Sequence, residues 1–350
     1  MKIKIILFYL LLFTCFFSSF SKAQNKTKND IFYQEKINLL WQNNQIDSTL
    51  IIYNQYLTKL NPKKETKKYI AFQIKQLKIA YLIGSTETIQ KSIEELKSLT
   101  LNPKKESNLI YQVVFQEAKY EYWKGFYQKS VALFKQIPNH TDLKLYQLAN
   151  RYATGKDINL GFLKESNFEN SNFETASEQA ESLRQLFGLY GMSEDALFFA
   201  QKAIDFLPKT VNKIEKVNYQ IKYLRALLAH QPKAKKSQVL LDEIREVVIK
   251  YTPKTELELH YLWLSITHIK TNPKNSLLKT DSVLILYKDF PITNGMIYDY
   301  VITKSALLLQ VYKWKKAEEW LDKHIEIFTK LYSQKSIQVS QLYAYKSLLY

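Results

Sequence analysis

The sequence predicts an all-α protein, a solenoid of antiparallel helix hairpins stacked one on the next. Three observations carry that prediction. Seven glycines and eight prolines in 350 residues leave few turn signals, and apolar residues recur at three- and four-residue spacing instead of alternating. Pro62, Pro103, Pro138 and Pro208 stand 41, 35 and 70 residues apart, and a proline, lacking an amide hydrogen, marks where a helix stops. The hexapeptide Leu60-Asn61-Pro62-Lys63-Lys64-Glu65 recurs unchanged as Leu101-Asn102-Pro103-Lys104-Lys105-Glu106. Self-similarity at such a period means repeated units that cannot bury their apolar faces alone.

Taken in order, residues 1–23 read as a signal peptide: Lys2 and Lys4, an apolar run from Ile5 to Phe20, then Ser21 and Ala23 at the small-residue positions before a cut after Ala23. That run is shorter than the roughly 20 residues a membrane-crossing helix needs, so an uncleaved anchor is the weaker alternative. A lipid anchor on Cys15 is weaker too, since Phe13 and Thr14 precede it. The mature chain, with no later stretch apolar enough to span a bilayer, is expected in the periplasm or outside the cell. Cys15 is the only cysteine, so the mature chain has no disulfide and no cysteine ligand, and its folding rests on apolar burial.

Ile37, Leu40 and Trp41, followed by Leu50, Tyr53, Leu57 and Leu60, read as the first hairpin, turning at Asn43 and Asn44. Helices follow near 65–83, 86–99, 105–123 and 127–137, resume at 174–190 and 193–206, and continue at 210–229, 233–251, 254–270, 275–289, 294–312 and 314–331. Residues 24–153 form an N-terminal set of repeats and residues 174–335 a C-terminal set. Between them, 154–173 holds Gly155, Gly161 and a polar run and reads as a degenerate hairpin or loop. Residues 336–350 read as an amphipathic capping helix.

The unit with Ala118, Gly125, Ser130, Phe134 and Ile137, and those with Phe187, Gly191, Ala196, Ala200 and Ala203 or Ser305, Leu308, Ala317 and Leu321, place small residues where paired helices cross and aromatics beside them. In this the chain resembles the tetratricopeptide repeat family. It departs at Glu121, where the family prefers a tyrosine that here comes one residue late, as Tyr122. The resemblance implies a right-handed superhelix whose first helices line a concave, partner-binding face. By position, that face includes Gln112, Phe115, Lys119 and Tyr122, with Asp299, Ile302 and Leu309 in the last full unit.

The net charge of +17 invites a nucleic-acid reading, but only Arg151, Arg184, Arg225 and Arg245 among 50 basic residues are arginine. Phosphate and base recognition favours the bidentate guanidinium, so no nucleic-acid partner is expected. Dispersed lysine suits solvated helix faces, and peripheral attraction to an anionic cell surface is a second expectation. No glycine-rich phosphate loop is present. Gly191-Met192-Ser193-Glu194 lacks the second glycine of a nucleophile elbow, and Ser193 is expected to cap a helix. His260 and His268 lie eight apart with Glu256 nearby, not at the four-residue spacing of helical zinc ligands. No catalytic residue, metal site or cofactor is predicted.

The chain is therefore expected to be a non-enzymatic scaffold binding a protein or peptide partner. A second reading makes it the repeat half of a larger regulator, of the caspase-like peptidase or sensor-kinase type, without its effector domain. A third, a carbohydrate-binding surface protein, predicts solvent-facing rings at Trp123, Trp263, Trp314 and Trp320.

Overall fold

Helix accounts for every regular element of the computed structural model, which describes residues 30–350 apart from 157–159, 166, 233, 268–271, 292–293 and 333–335. Among the described residues there is no strand. Residues 1–23, expected to be a signal peptide, lie outside them, as does His268. The chain divides into two units, Met1–Asn61 and Pro62–Tyr350.

In the first unit, α1 (30–42) and α2 (Ile46–Leu57) form a hairpin. Asn44 takes the left-handed conformation between them, at φ 59°, one of the few side chains that tolerates it. Tyr33 and Tyr56 stack at 5.0 Å, and the Tyr56 hydroxyl donates to Asp30.

The second unit opens with α3 (Thr66–Ile83), α4 (Thr86–Lys97), α5 (Ser107–Trp123) and α6 (Tyr127–Phe134). The two copies of the hexapeptide end in the same conformation: Glu65 and Glu106, at φ −124° and −123°, stand just before α3 and α5. Next comes α7 (Lys144–Thr154), which is absent from the predicted helices although Leu145, Leu148 and Ala149 are buried at helical spacing. Within 154–173 the described residues include one short helix, α8 (Leu160–Lys164).

The remaining elements are α9 (Ala176–Leu189), α10 (Ser193–Asp205), α11 (Lys213–His230), α12 (Lys236–Tyr251), α13 (Glu256–Thr267), α14 (Pro273–Leu286), α15 (Gly295–Gln310), α16 (Trp314–Leu331) and α17 (Ile337–Ser347). Five of these starts are chemically marked: Thr175 and Glu178 form a reciprocal capping box, and Asn212, Asn272, Asn294 and Ser336 accept from the first free amides. Ser193 does not cap. Met192 occupies that position with no side-chain bond, and the Ser193 hydroxyl instead lies 3.2 Å from His230 Nδ1.

Each helix from α9 to α17 packs on its sequence neighbour, and alternate helices also touch, α9 on α11, α11 on α13, α13 on α15 and α15 on α17. Small residues make the crossings close: Ala118 and Ser130 are fully buried, and the Ser130 hydroxyl donates to the Ala118 carbonyl at 2.8 Å. Aromatics fill the gaps beside them, Phe115 against Phe134 and Phe187 against Phe199. Packing is not all local, since α3 meets α13. There, Gly84 brings its backbone so near Glu256 and Phe290 that a methyl group would sit 2.7 and 2.9 Å from them.

Candidate functional site

The polar faces of α3, α5, α9, α11, α13 and α15 meet in one charged network. Helical spacing puts the groups there: Lys119, Tyr122 and Trp123 on α5, Glu178, Glu181 and Gln185 on α9, Lys222 and Arg225 on α11, Glu256, His260 and Trp263 on α13. Glu178 is the first hub. One carboxylate oxygen accepts from the Thr175 amide and lies 3.7 Å from Lys78, while the other takes Lys119 at 3.2 Å. Glu181 is the second hub, bound through both oxygens by Arg184 at 2.7 and 2.9 Å, with Gln185 donating to it and Lys222 at 3.9 Å. Arg225 pairs with Asp299 at 2.8 Å and lies over the Trp263 ring at 4.5 Å. Trp123 donates its ring N–H to Glu256, 133 positions along the chain, at 2.8 Å.

Beside this network sits a tyrosine cluster. Tyr127 stacks on Tyr152 at 4.5 Å and on Tyr332 at 5.9 Å, with Tyr122 edge-on to Tyr127. Burial raises the Tyr152 hydroxyl to about 12 and Tyr122 and Tyr127 well above the ordinary value. These rings stay neutral phenols.

Burial and charge oppose one another among the ionisable groups. Burial alone would raise Glu178 and Glu181, yet Lys119 and Lys78 hold the first, and Arg184 and Lys222 the second, at about 2. Burial lowers His260, and the neighbouring Arg225 and Lys222 lower it further, to about 3. At 3.9 Å from Glu256, the neutral imidazole is a neighbour and not an ion-pair partner. Glu256, raised by burial, is held by Trp123 and Asn294. The network combines fixed positive and negative groups with a neutral histidine. Side chains such as Glu178, Lys119, Lys222 and Arg225 keep 22–32% of their surface in contact with solvent, enough for an incoming polar group to reach them.

Of the seven residues predicted to line a docking face, Lys119, Tyr122 and Asp299 belong to this network. Gln112 is half-buried on α5. Phe115 does not face solvent. It is 1% exposed and packs between Phe134 and Phe173, because the helix crossing at Ala118 needs a ring to fill it; truncation there would cost about 3–5 kcal/mol. Ile302 and Leu309 are partly buried in apolar clusters with Trp320 and the C-terminal helix. The sequence reading missed Glu178, Glu181, Arg184, Lys222 and Arg225. A signal for two of them was present: Arg184 and Arg225 are half of the chain's arginines, and a guanidinium is the side chain suited to a half-buried carboxylate.

No group of three or more metal-binding side chains occurs among the described residues. Ser193 and His230 approach within hydrogen-bond distance, but the amides of Gly191 and Met192 are spent on the carbonyls of Gly188 and Phe187, so this turn presents neither to an oxyanion. Of the four tryptophans a sugar platform would expose, Trp123, Trp263 and Trp320 are half-buried with their N–H groups bonded to Glu256, Thr303 and the Val301 carbonyl, and Trp314 is exposed. Among the described residues no helix is long and apolar enough to cross a membrane. No protein-family model matches the chain, and no curated protein matches it significantly.

Proposed function

We propose that the chain is an exported, non-enzymatic helical-repeat scaffold of tetratricopeptide-like hairpins that captures a peptide or protein partner on the network shared by α5, α9, α11, α13 and α15. The observation that carries this reading is the concentration of half-buried charge on those helices. A face needed only for packing is served better by apolar side chains, since buried ion pairs recover little more than their desolvation cost. Charges fixed by neighbours and still reached by solvent suit recognition, because a partner meets groups already oriented. The ordered stacking of neighbours and the glycine-closed turns support the solenoid reading, and the leader-like residues 1–23 support capture outside the cytoplasm.

The reading is tested by affinity capture from an envelope fraction with the unaltered chain and with a Lys222→Gln/Arg225→Gln double variant. Helical signal should be the same for both, and the partner retained by the unaltered chain should fall at least tenfold with the variant. An identical set of captured proteins at identical yield would contradict the reading.

A further inference from the structure

Among the described residues, five hairpin turns close with the same pair of hydrogen bonds. In each, the residue in the left-handed conformation donates three residues back and its successor donates five back: Asn44 and Gln45, Gly84 and Ser85, Gly125 and Phe126, Gly191 and Met192, Tyr312 and Lys313. This closure demands positive φ at the first residue of each pair. Glycine meets the demand without cost three times and asparagine once. The turn between α15 and α16 places Tyr312 there, at φ 56°, a strained choice for a bulky side chain. The tyrosine gains nothing by burial, being 77% exposed.

The residues after Tyr312 are equally unusual for a surface turn. Tyr312, Lys313, Trp314, Lys315 and Lys316 are five consecutive exposed residues. The Tyr312 and Trp314 rings meet edge-on at 5.9 Å, and Trp314 leaves 47% of its surface in water. The nearest carboxylates in sequence are Glu318, which is occupied by the Tyr350 hydroxyl, and Glu319. Two amphipathic rings flanked by three ammonium groups match a bilayer boundary: the rings settle among the headgroups and the ammoniums meet anionic lipid.

We infer that the Tyr312–Lys316 turn is a peripheral docking site for a bilayer surface bearing anionic phospholipid, and that the backbone strain at Tyr312 is retained to present its ring to that surface. This goes beyond partner capture, which uses other residues.

The test is flotation of the full chain with vesicles of phosphatidylcholine and phosphatidylglycerol mixed three to one, against vesicles of phosphatidylcholine alone. The apolar stretch 5–20 is common to all variants, so the readout is the gain on adding the anionic lipid. Lys313→Gln/Lys315→Gln/Lys316→Gln should reduce that gain roughly a hundredfold, and Trp314→Ala roughly tenfold. A control of equal charge change, Lys63→Gln/Lys64→Gln/Lys67→Gln, should retain most of it. Tyr312→Gly should weaken vesicle binding while raising Tm by about 2 °C, since it relieves the turn. The inference is overturned if the unaltered chain shows no preference for anionic vesicles, if the control triple loses as much as the turn triple, or if Tyr312→Gly lowers Tm.

Discussion

His260 shows how a single side chain reports the electrostatics of its surroundings. Its ordinary value of 6.5 is lowered to about 3 by burial, Arg225 and Lys222, so the unfolded chain takes up a proton on acidification that the folded chain refuses. Stability is therefore lost as pH falls from 6.5 toward 3. His324, lowered by burial to about 4, acts in the same direction. Glu174 opposes both. Burial and then Glu178 raise it to about 7, although it accepts the Lys144 and Leu145 amides at the start of α7, so its protonation adds stability between about 7 and 4.5. Below 4.5, loss of charge on Glu178 and Glu181 removes stability again. Replacing His260 by Gln should flatten the pH dependence between 6.5 and 4.5, by about 1 kcal/mol near pH 5 because a partly solvated ring realises only part of the linkage. Urea midpoints measured across that range check it, and an unchanged slope would show that His260 titrates as in water.

At the level of the helix and its turn, small residues decide how closely elements approach. Gly84 combines a left-handed φ of 70° with a backbone that leaves no room for a methyl group beside Glu256 and Phe290. Gly84→Ala should lower stability by about 2 kcal/mol or more, from the strained φ and the displaced ring together. Gly191, with the same conformation and open space around it, is the comparison: Gly191→Ala should cost about 1 kcal/mol. Equal losses at the two sites would show that α3 does not press on that surface. Repeated spacing made most helices legible, and the two hexapeptides end in the same conformation because identical residues faced the same local demands. The spacing in α7 was also present in sequence, at Leu145, Leu148 and Ala149 between Pro138 and Gly155, but the polar run after Gly155 offered no second helix of matching length to pair with it as a hairpin. Ser193 was misjudged because a serine before acidic residues satisfies the capping pattern equally well one position too late.

Across the second unit, the feature that local pattern could not reveal is the meeting of distant helices. The family resemblance nominated Lys119, Tyr122 and Asp299 by position, and periodicity shows which face of a helix is polar. It does not show that the polar faces of six helices share one space, or that Trp123 finds Glu256. Nor could it separate Phe115 from the docking face, because a ring at helical spacing looks the same whether it fills a crossing or lines a groove. Hydrogen exchange of the chain with and without its captured partner locates the docking face. Amides of α9, α11, α13 and α15 are predicted to slow on binding, with α10, α12, α14 and α16 unchanged. Protection confined to the second set would contradict the assignment of docking to the charged network.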